Sequence, residues 1–127
     1  MAEDRGHYSP TLMDHLAHPR NTGEMENPDG VGEVKNPACG DVMRLYIKVE
    51  AGRIVDVRFL TYGCGPAIAA SSVATEMIKG KSVTEALAIS RDAVAEALGG
   101  LPPGKSHCSV LAEKAVKAAV FDYQNRS

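Results

Sequence analysis

The sequence predicts an α+β domain in which helices pack on one face of an antiparallel sheet. Three observations predict it. Apolar and polar residues alternate along two segments before residue 63, the period of half-buried strands. After residue 64, apolar residues recur at offsets 0, 3, 4 and 7, which is one stripe of a helix. The strand segments precede the long helical ones and do not alternate with them, so repeating βαβ units are not expected.

Taken in order, residues 1–8 read as a polar, flexible tail. Ser9 and Pro10 open a short helix as N-cap and first helical residue. Leu12, Met13 and Leu16 give that helix an apolar face, and Pro19 ends it. Residues 21–30 are rich in turn formers, and Val31–Lys35 is the candidate third strand. In Val42–Val49, Met43, Leu45, Ile47 and Val49 share one face, while Arg44, Tyr46 and Lys48 share the other. A short turn at Ala51-Gly52 leads into Arg53–Tyr62, where Val55, Val57 and Phe59 alternate with Asp56 and Arg58. Gly65-Pro66 then starts a helix that Gly80 stops, with Ala70, Val73, Ala74 and Met77 as its buried stripe. Ser82 with Glu85 forms a capping box for the next helix. Ser90 caps another, which Gly99-Gly100 ends. The last helix runs from about His107 to Gln124, buried along Ala112, Ala115, Val116, Ala119, Val120 and Tyr123. On its opposite face, Glu113 and Lys117 stand in the favourable i,i+4 order.

The 127 residues are 44% apolar and 24% charged, as expected of a single folded domain, residues 1–127. A formal net charge of −2 gives no basic surplus for a nucleic-acid partner. Tryptophan is absent and aromatics make up 5%, so platforms for stacking bases or sugars are not expected. No apolar run approaches the ~20 residues of a membrane span. The first eight residues lack the apolar core of a signal peptide, so a cytoplasmic location is expected.

The cysteines are the informative residues. There are three, Cys39, Cys64 and Cys108, an odd count that cannot close as intramolecular disulfides alone. Each falls at a turn or an element end. Cys64 and Cys108 stand at expected helix N-termini, where orphan N–H groups and the helix dipole favour an anion. Lys105 adds positive charge near Cys108. Gly40, Gly63 and Gly65 clear space beside the sulfurs. Asp41 and His107 lie two and one residues from cysteines, so three thiolates, an imidazole and a carboxylate can converge if the loops meet. Such a set holds a thiophilic metal less firmly than four thiolates would. The spacing matches no local zinc-finger or ferredoxin run. From spacing alone, a metal or cluster site, metal-free thiol chemistry and a structural role all stay open. His7, His15 and His18 read as surface or packing residues, and Met43 and Met77 as core.

Three strings carry a resemblance: Asn36-Pro37-Ala38-Cys39-Gly40-Asp41-Val42-Met43, Thr61-Tyr62-Gly63-Cys64-Gly65 and His107-Cys108-Ser109. Asp14-His15, His18-Pro19-Arg20-Asn21, Ser71-Ser72 and Lys79-Gly80-Lys81 extend it. From about Leu12 to Tyr123 the chain resembles the iron–sulfur cluster assembly scaffolds of the IscU type, related to the N-terminal domain of NifU. The resemblance implies a three-stranded antiparallel sheet with packed helices. It implies a scaffold, not an enzyme, on which a transient 2Fe-2S cluster, rather than a 4Fe-4S one, is built and passed to acceptor apoproteins. Cys39, Cys64 and Cys108 would be cluster ligands, with His107 or Asp41 as the fourth. The same residues would bind zinc in the cluster-free form. Cys108 would take persulfide sulfur from a cysteine desulfurase, and Asp41 would govern cluster lability. An iron donor is a further implied partner. The cluster would sit within one chain or bridge two copies.

Residues 101–105 resemble the loop by which bacterial members engage an Hsp70-type chaperone, but Gly104 stands where valine is usual, which weakens that docking. Pro66 stands where a residue with an N–H is usual, removing one donor to a bound sulfur. The alternative reading is a zinc-dependent sulfur acceptor that relays sulfur from the desulfurase. The chain lacks the insertion of that branch of the family, which favours the scaffold.

Overall fold

The structure, a computed structural model, describes residues 8–36, 40–102 and 104–126. The elements are α1 (Pro10–Ala17), β1 (Gly30–Asn36), β2 (Asp41–Glu50), β3 (Arg53–Tyr62), α2 (Gly65–Ile78), α3 (Val83–Leu87), α4 (Arg91–Ala97) and α5 (His107–Arg126). The tail residues 1–7, His7 among them, lie outside the described residues, as do Cys39 and Pro103.

The three strands pair antiparallel in the order β1-β2-β3. Met43, Leu45 and Ile47 of β2 point into the core with Ile54, Val57 and Phe59 of β3. Val55 departs from the expected pattern and is 41% exposed. The ladder skips it: Lys48 pairs with Asp56, and Val49 pairs with Ile54. This bulge flips the alternation, so Ile54 takes the inward place that simple period-two counting assigns to Val55. Tyr46 also departs from expectation. It lies on the outward face, paired with Val31 and Arg58, yet is buried.

Helix α2 is buried on nearly every side, wedged between α1, α5 and the sheet. Its alanines and serines allow that close approach, and Ile78, not Met77, fills the core at its end. Helix α5 lies over β1 and β2, with Ala112, Ala115, Val116, Ala119 and Val120 buried and Tyr123 half-buried. Its approach requires glycine on β1. A Cβ at Gly32 would fall on the Ala115 carbonyl oxygen and 2.5 Å from the Ala119 nitrogen. The expected caps are present. Ser82 and Glu85 form the reciprocal box on α3, and Ser90 Oγ accepts from Ala93 N at 3.1 Å on α4. Glu113 accepts both from Lys117 Nζ, at 2.8 Å, and from Arg91 N, at 3.0 Å, which ties α4 to α5.

On α1 the buried residues are Leu12 and His15, with Leu16 half-buried, while Met13 is 40% exposed. Positions 12, 15 and 16 share one narrow stripe, whereas position 13 is turned about 100° away. His15 Nδ1 lies 2.7 Å from Ser72 Oγ on α2, and Nε2 lies 3.5 Å from Glu76. Burial, with Arg20 beside it, holds the His15 pKa below its ordinary value of 6.5, against the opposing pull of Glu76 and Asp14. The unfolded chain therefore binds the His15 proton more readily than the native one. Stability is full above pH 6.5 and falls as pH drops through and below that value. Urea midpoints measured on either side of pH 6.5 should show the loss, and His15→Gln should shrink it.

Candidate metal centre

Antiparallel pairing sets the start of β2 beside the end of β3, because Val42 pairs with Tyr62. Asp41 opens β2, and Cys64 follows β3 as the N-cap of α2. Helix α5 packs against both α2 and β2, and its first turn carries His107 and Cys108. Four side chains distant in sequence thus meet at one end of the sheet. Their donor atoms all lie within 4.8 Å of one another.

Cys64 Sγ is 3.8 Å from Cys108 Sγ and 3.9 Å from Asp41 Oδ2. His107 Nε2 is 3.7 Å from Cys108 Sγ and 3.6 Å from Asp41 Oδ2. A tetrahedral ion with bonds of about 2.0–2.3 Å holds its ligands roughly 3.3–3.8 Å apart. These separations are therefore close to the edges of a coordination tetrahedron. The donors are soft sulfur, borderline nitrogen and hard oxygen, a set suited to zinc or thiophilic iron.

The four differ in access. Cys108 and Asp41 are buried, with Cys108 fully enclosed, while Cys64 and His107 are half-buried. At Cys108 the helix N-terminus and Lys105 favour a thiolate, and burial opposes them. Burial pushes its thiol well above the ordinary range, and neighbouring Cys64 and Asp41 push the same way. Lys105 pulls the other way and is outweighed. An enclosed thiol has little water to solvate its anion, and a bound cation would supply the missing charge.

The glycines have roles that sequence reasoning missed. A Cβ at Gly63 would stand 2.5 Å from Asp41 Oδ1, so this glycine makes room for the carboxylate. Gly65 makes room for Leu16 of α1, whose side chain would stand 3.1 Å from an added Cβ. Gly40 has open space around it and a φ of +77°, so its requirement is the backbone turn into β2. The only sequence signal for the first two was glycine on both sides of one cysteine. Pro66 is buried in the first turn of α2, and the helix is closed by Ala67 and Ile68 N–H groups donating to the Cys64 carbonyl. Gly104 sits at φ +81°, a conformation that strains valine, and Lys105 N donates to Pro102 O at 3.1 Å across it. His18 is exposed and takes no part in the site. Among the described residues, no helix is long and apolar enough to cross a membrane.

The sequence matches the family described as NifU-like N terminal domain over residues 7–127. It is 60% identical over 116 residues to the iron-sulfur cluster assembly scaffold protein IscU 1 of Archaeoglobus fulgidus, covering 91% of this chain and 76% of the relative. It is 55% identical over 123 residues to IscU of Escherichia coli, covering 94% and 95%. A crystal structure from Fervidobacterium islandicum, described as an iron-sulfur cluster assembly scaffold protein for the SUF system, superposes with a TM-score of 0.76 at 26% identity, covering 91% of this chain and 98% of that one. A nitrogen-fixing NifU-like N-terminal structure from Brucella abortus shares the fold, with a TM-score of 0.74 at 20% identity and coverage of 94% and 95%. A family match over nearly the whole chain, with the strand order and the clustered donors already described, shows that the chain belongs to the NifU-like N-terminal domain family.

Proposed function

We propose that this chain is a scaffold, not an enzyme, on which a transient 2Fe-2S cluster is assembled and from which it passes to acceptor apoproteins. The observation that carries this is the convergence of Asp41, Cys64, His107 and Cys108 at one end of the sheet. The names of the relatives support it. Cys39, two residues before Asp41 in the chain, is the third thiolate of the proposed ligand set. His107 and Asp41 supply the fourth ligand, and the same donors hold zinc when no cluster is present. Sulfur comes as persulfide from a cysteine desulfurase, to Cys108, and iron comes from a separate donor. The protein acts as a single cytoplasmic domain, alone or as two copies bridged by a cluster. The loop at 101–105, with its glycine-dependent turn, is a weak docking site for an Hsp70-type chaperone.

An oxygen donor is a poor partner for iron beside thiolates, and this favours release. The chain, given ferrous iron, sulfide and thiol without oxygen, should develop visible charge-transfer absorption. Absorption no different from that of iron sulfide without protein would overturn the proposal. Desulfurase stimulation that is equal without iron, with no cluster formed, would turn it toward sulfur relay. Asp41→Ala should hold its cluster several times longer and pass it to an apo-ferredoxin more slowly. Transfer at the original rate or faster would contradict the lability argument.

A further inference from the structure

The sheet has two outer edges, and the chain treats them differently. Along β3, Ile54 N donates to Lys81 O at 2.8 Å and Phe59 N donates to Asn21 O at 2.9 Å, so flanking segments cover that edge. The edge of β1 is open. Val31 N donates to Asp122 Oδ2 of α5 at 2.8 Å, so it points away from β2. Alternation along an antiparallel strand turns the N–H and C=O groups of Glu33 and Lys35 the same way. Among the described residues, no backbone group pairs with either of them. Both side chains are exposed, on the sheet face opposite α5, because an added Cβ at Gly30 or Gly32 would meet that helix.

An uncovered edge is a template for another strand. We propose that two copies of this chain pair antiparallel along β1, about a two-fold axis through Val34, to form one continuous sheet. The register follows from the backbone and the charges. Only Val31, Glu33 and Lys35 turn their backbone groups outward, so the pairing must set these residues against one another. A centre at Val34 sets Glu33 opposite Lys35 of the second copy, and Lys35 opposite the second copy's Glu33, with both pairs exchanging backbone hydrogen bonds. A centre at Glu33 sets carboxylate against carboxylate, and a centre at Lys35 sets ammonium against ammonium, each of which is destabilising. A centre at Val31 or Gly32 needs Val31 N, which Asp122 already holds. Arg44 engages Glu33 through Oε1, which leaves Oε2 for the lysine. On the inner face the half-buried Val34 side chains meet at the axis, at the closer spacing of a non-hydrogen-bonded pair.

This pairing differs from a cluster bridge. The converged donors lie at the end of the sheet where Asn36 pairs with Asp41. The axis reverses the second strand, so the two sites sit at opposite ends of the seam. With ~3.3 Å per residue along a strand and ~4.8 Å between strands, the two Asp41 backbones stand about 20 Å apart, too far for one small cluster to join. The inference goes beyond the scaffold reading and does not depend on it.

The test is sedimentation equilibrium of the full chain, metal-free and with a chelator present. The chain should dimerise at a concentration on the order of 100 μM, as a small interface does, and more weakly in high salt. Glu33→Lys and Lys35→Glu should each weaken self-association about tenfold or more, because each sets like charges opposite at both contacts of the dimer. An equimolar mixture of the two variants should recover it, since the mixed pair has opposite charges at both contacts. Lys35→Arg should dimerise as the unaltered chain does. Amide exchange at Glu33 and Lys35 should slow as protein concentration rises. Melting curves report the fold of each variant. Lys35→Glu and Lys35→Arg, which leave the Glu33–Arg44 pair intact, carry the comparison if Glu33→Lys fails to fold. A chain that stays monomeric overturns the inference, as does self-association that Lys35→Glu leaves unchanged, a mixture of folded variants that does not associate, or a dimer that forms only with metal. Each charge variant should still assemble a cluster from ferrous iron and sulfide, so loss of the dimer and loss of the scaffold role are read separately.

Discussion

Replacing Cys64 or Cys108 by Ser removes the visible absorption of the reconstituted protein, and this is the largest effect expected on function. The sulfurs stand 3.8 Å apart with Asp41 and His107 at similar distances, so each substitution deletes one donor of a converged set. A serine hydroxyl does not substitute, because it is hard, poorly acidic and bonds iron weakly beside thiolates. At Cys108 it also places a polar group at a fully buried position, at a cost of about 1–3 kcal/mol unless it finds a partner. Circular dichroism and a melting curve on each variant separate lost binding from lost fold. Cys39→Ser should behave as the other two do. Normal cluster binding by all three variants would show that the ligand assignment is wrong.

Gly32→Ala lowers stability by about 3 kcal/mol, with a fall in melting temperature on the order of 10 °C. The added methyl would meet the backbone of α5 at Ala115 and Ala119, not a flexible side chain that could swing aside. Relief requires the helix to lift off β1 along the line that buries Ala115, Val116 and Ala119. The same helix presents His107 and Cys108 at its first turn, so the displacement should also lower the yield of cluster. Thermal and urea unfolding check the first effect, and absorption after reconstitution checks the second. A loss below about 1 kcal/mol would mean that α5 can shift without cost.

Much of the fold was legible because local rules and the final packing agree. Ser9, Ser82 and Ser90 cap the helices that their positions suggest, since a hydroxyl before a run of helix formers satisfies an orphan N–H wherever the helix lies. The strands followed from their period of two. Errors arose where a neighbour altered the pattern. The bulge at Val55 is set by pairing with β2, which one strand's alternation does not reveal. His15 is buried because Ser72 and Glu76 face it across the α1–α2 contact, while the more apolar Met13 faces out.

For the candidate site, sequence alone determined the chemical types of the donors and the placement of Asp41, Cys64, His107 and Cys108 at element ends, because Cys64 has glycine on both sides and Cys108 follows a histidine at a helix start. Only the tertiary structure decided which of them meet and how each is exposed. Antiparallel pairing and the docking of α5 bring residues 41, 64, 107 and 108 within 4.8 Å, and those contacts are non-local. The same packing encloses Cys108 and leaves Cys64 partly open. The field of one helix terminus is a local quantity and can be read from a string, but desolvation depends on everything packed around the sulfur, and at Cys108 desolvation prevails.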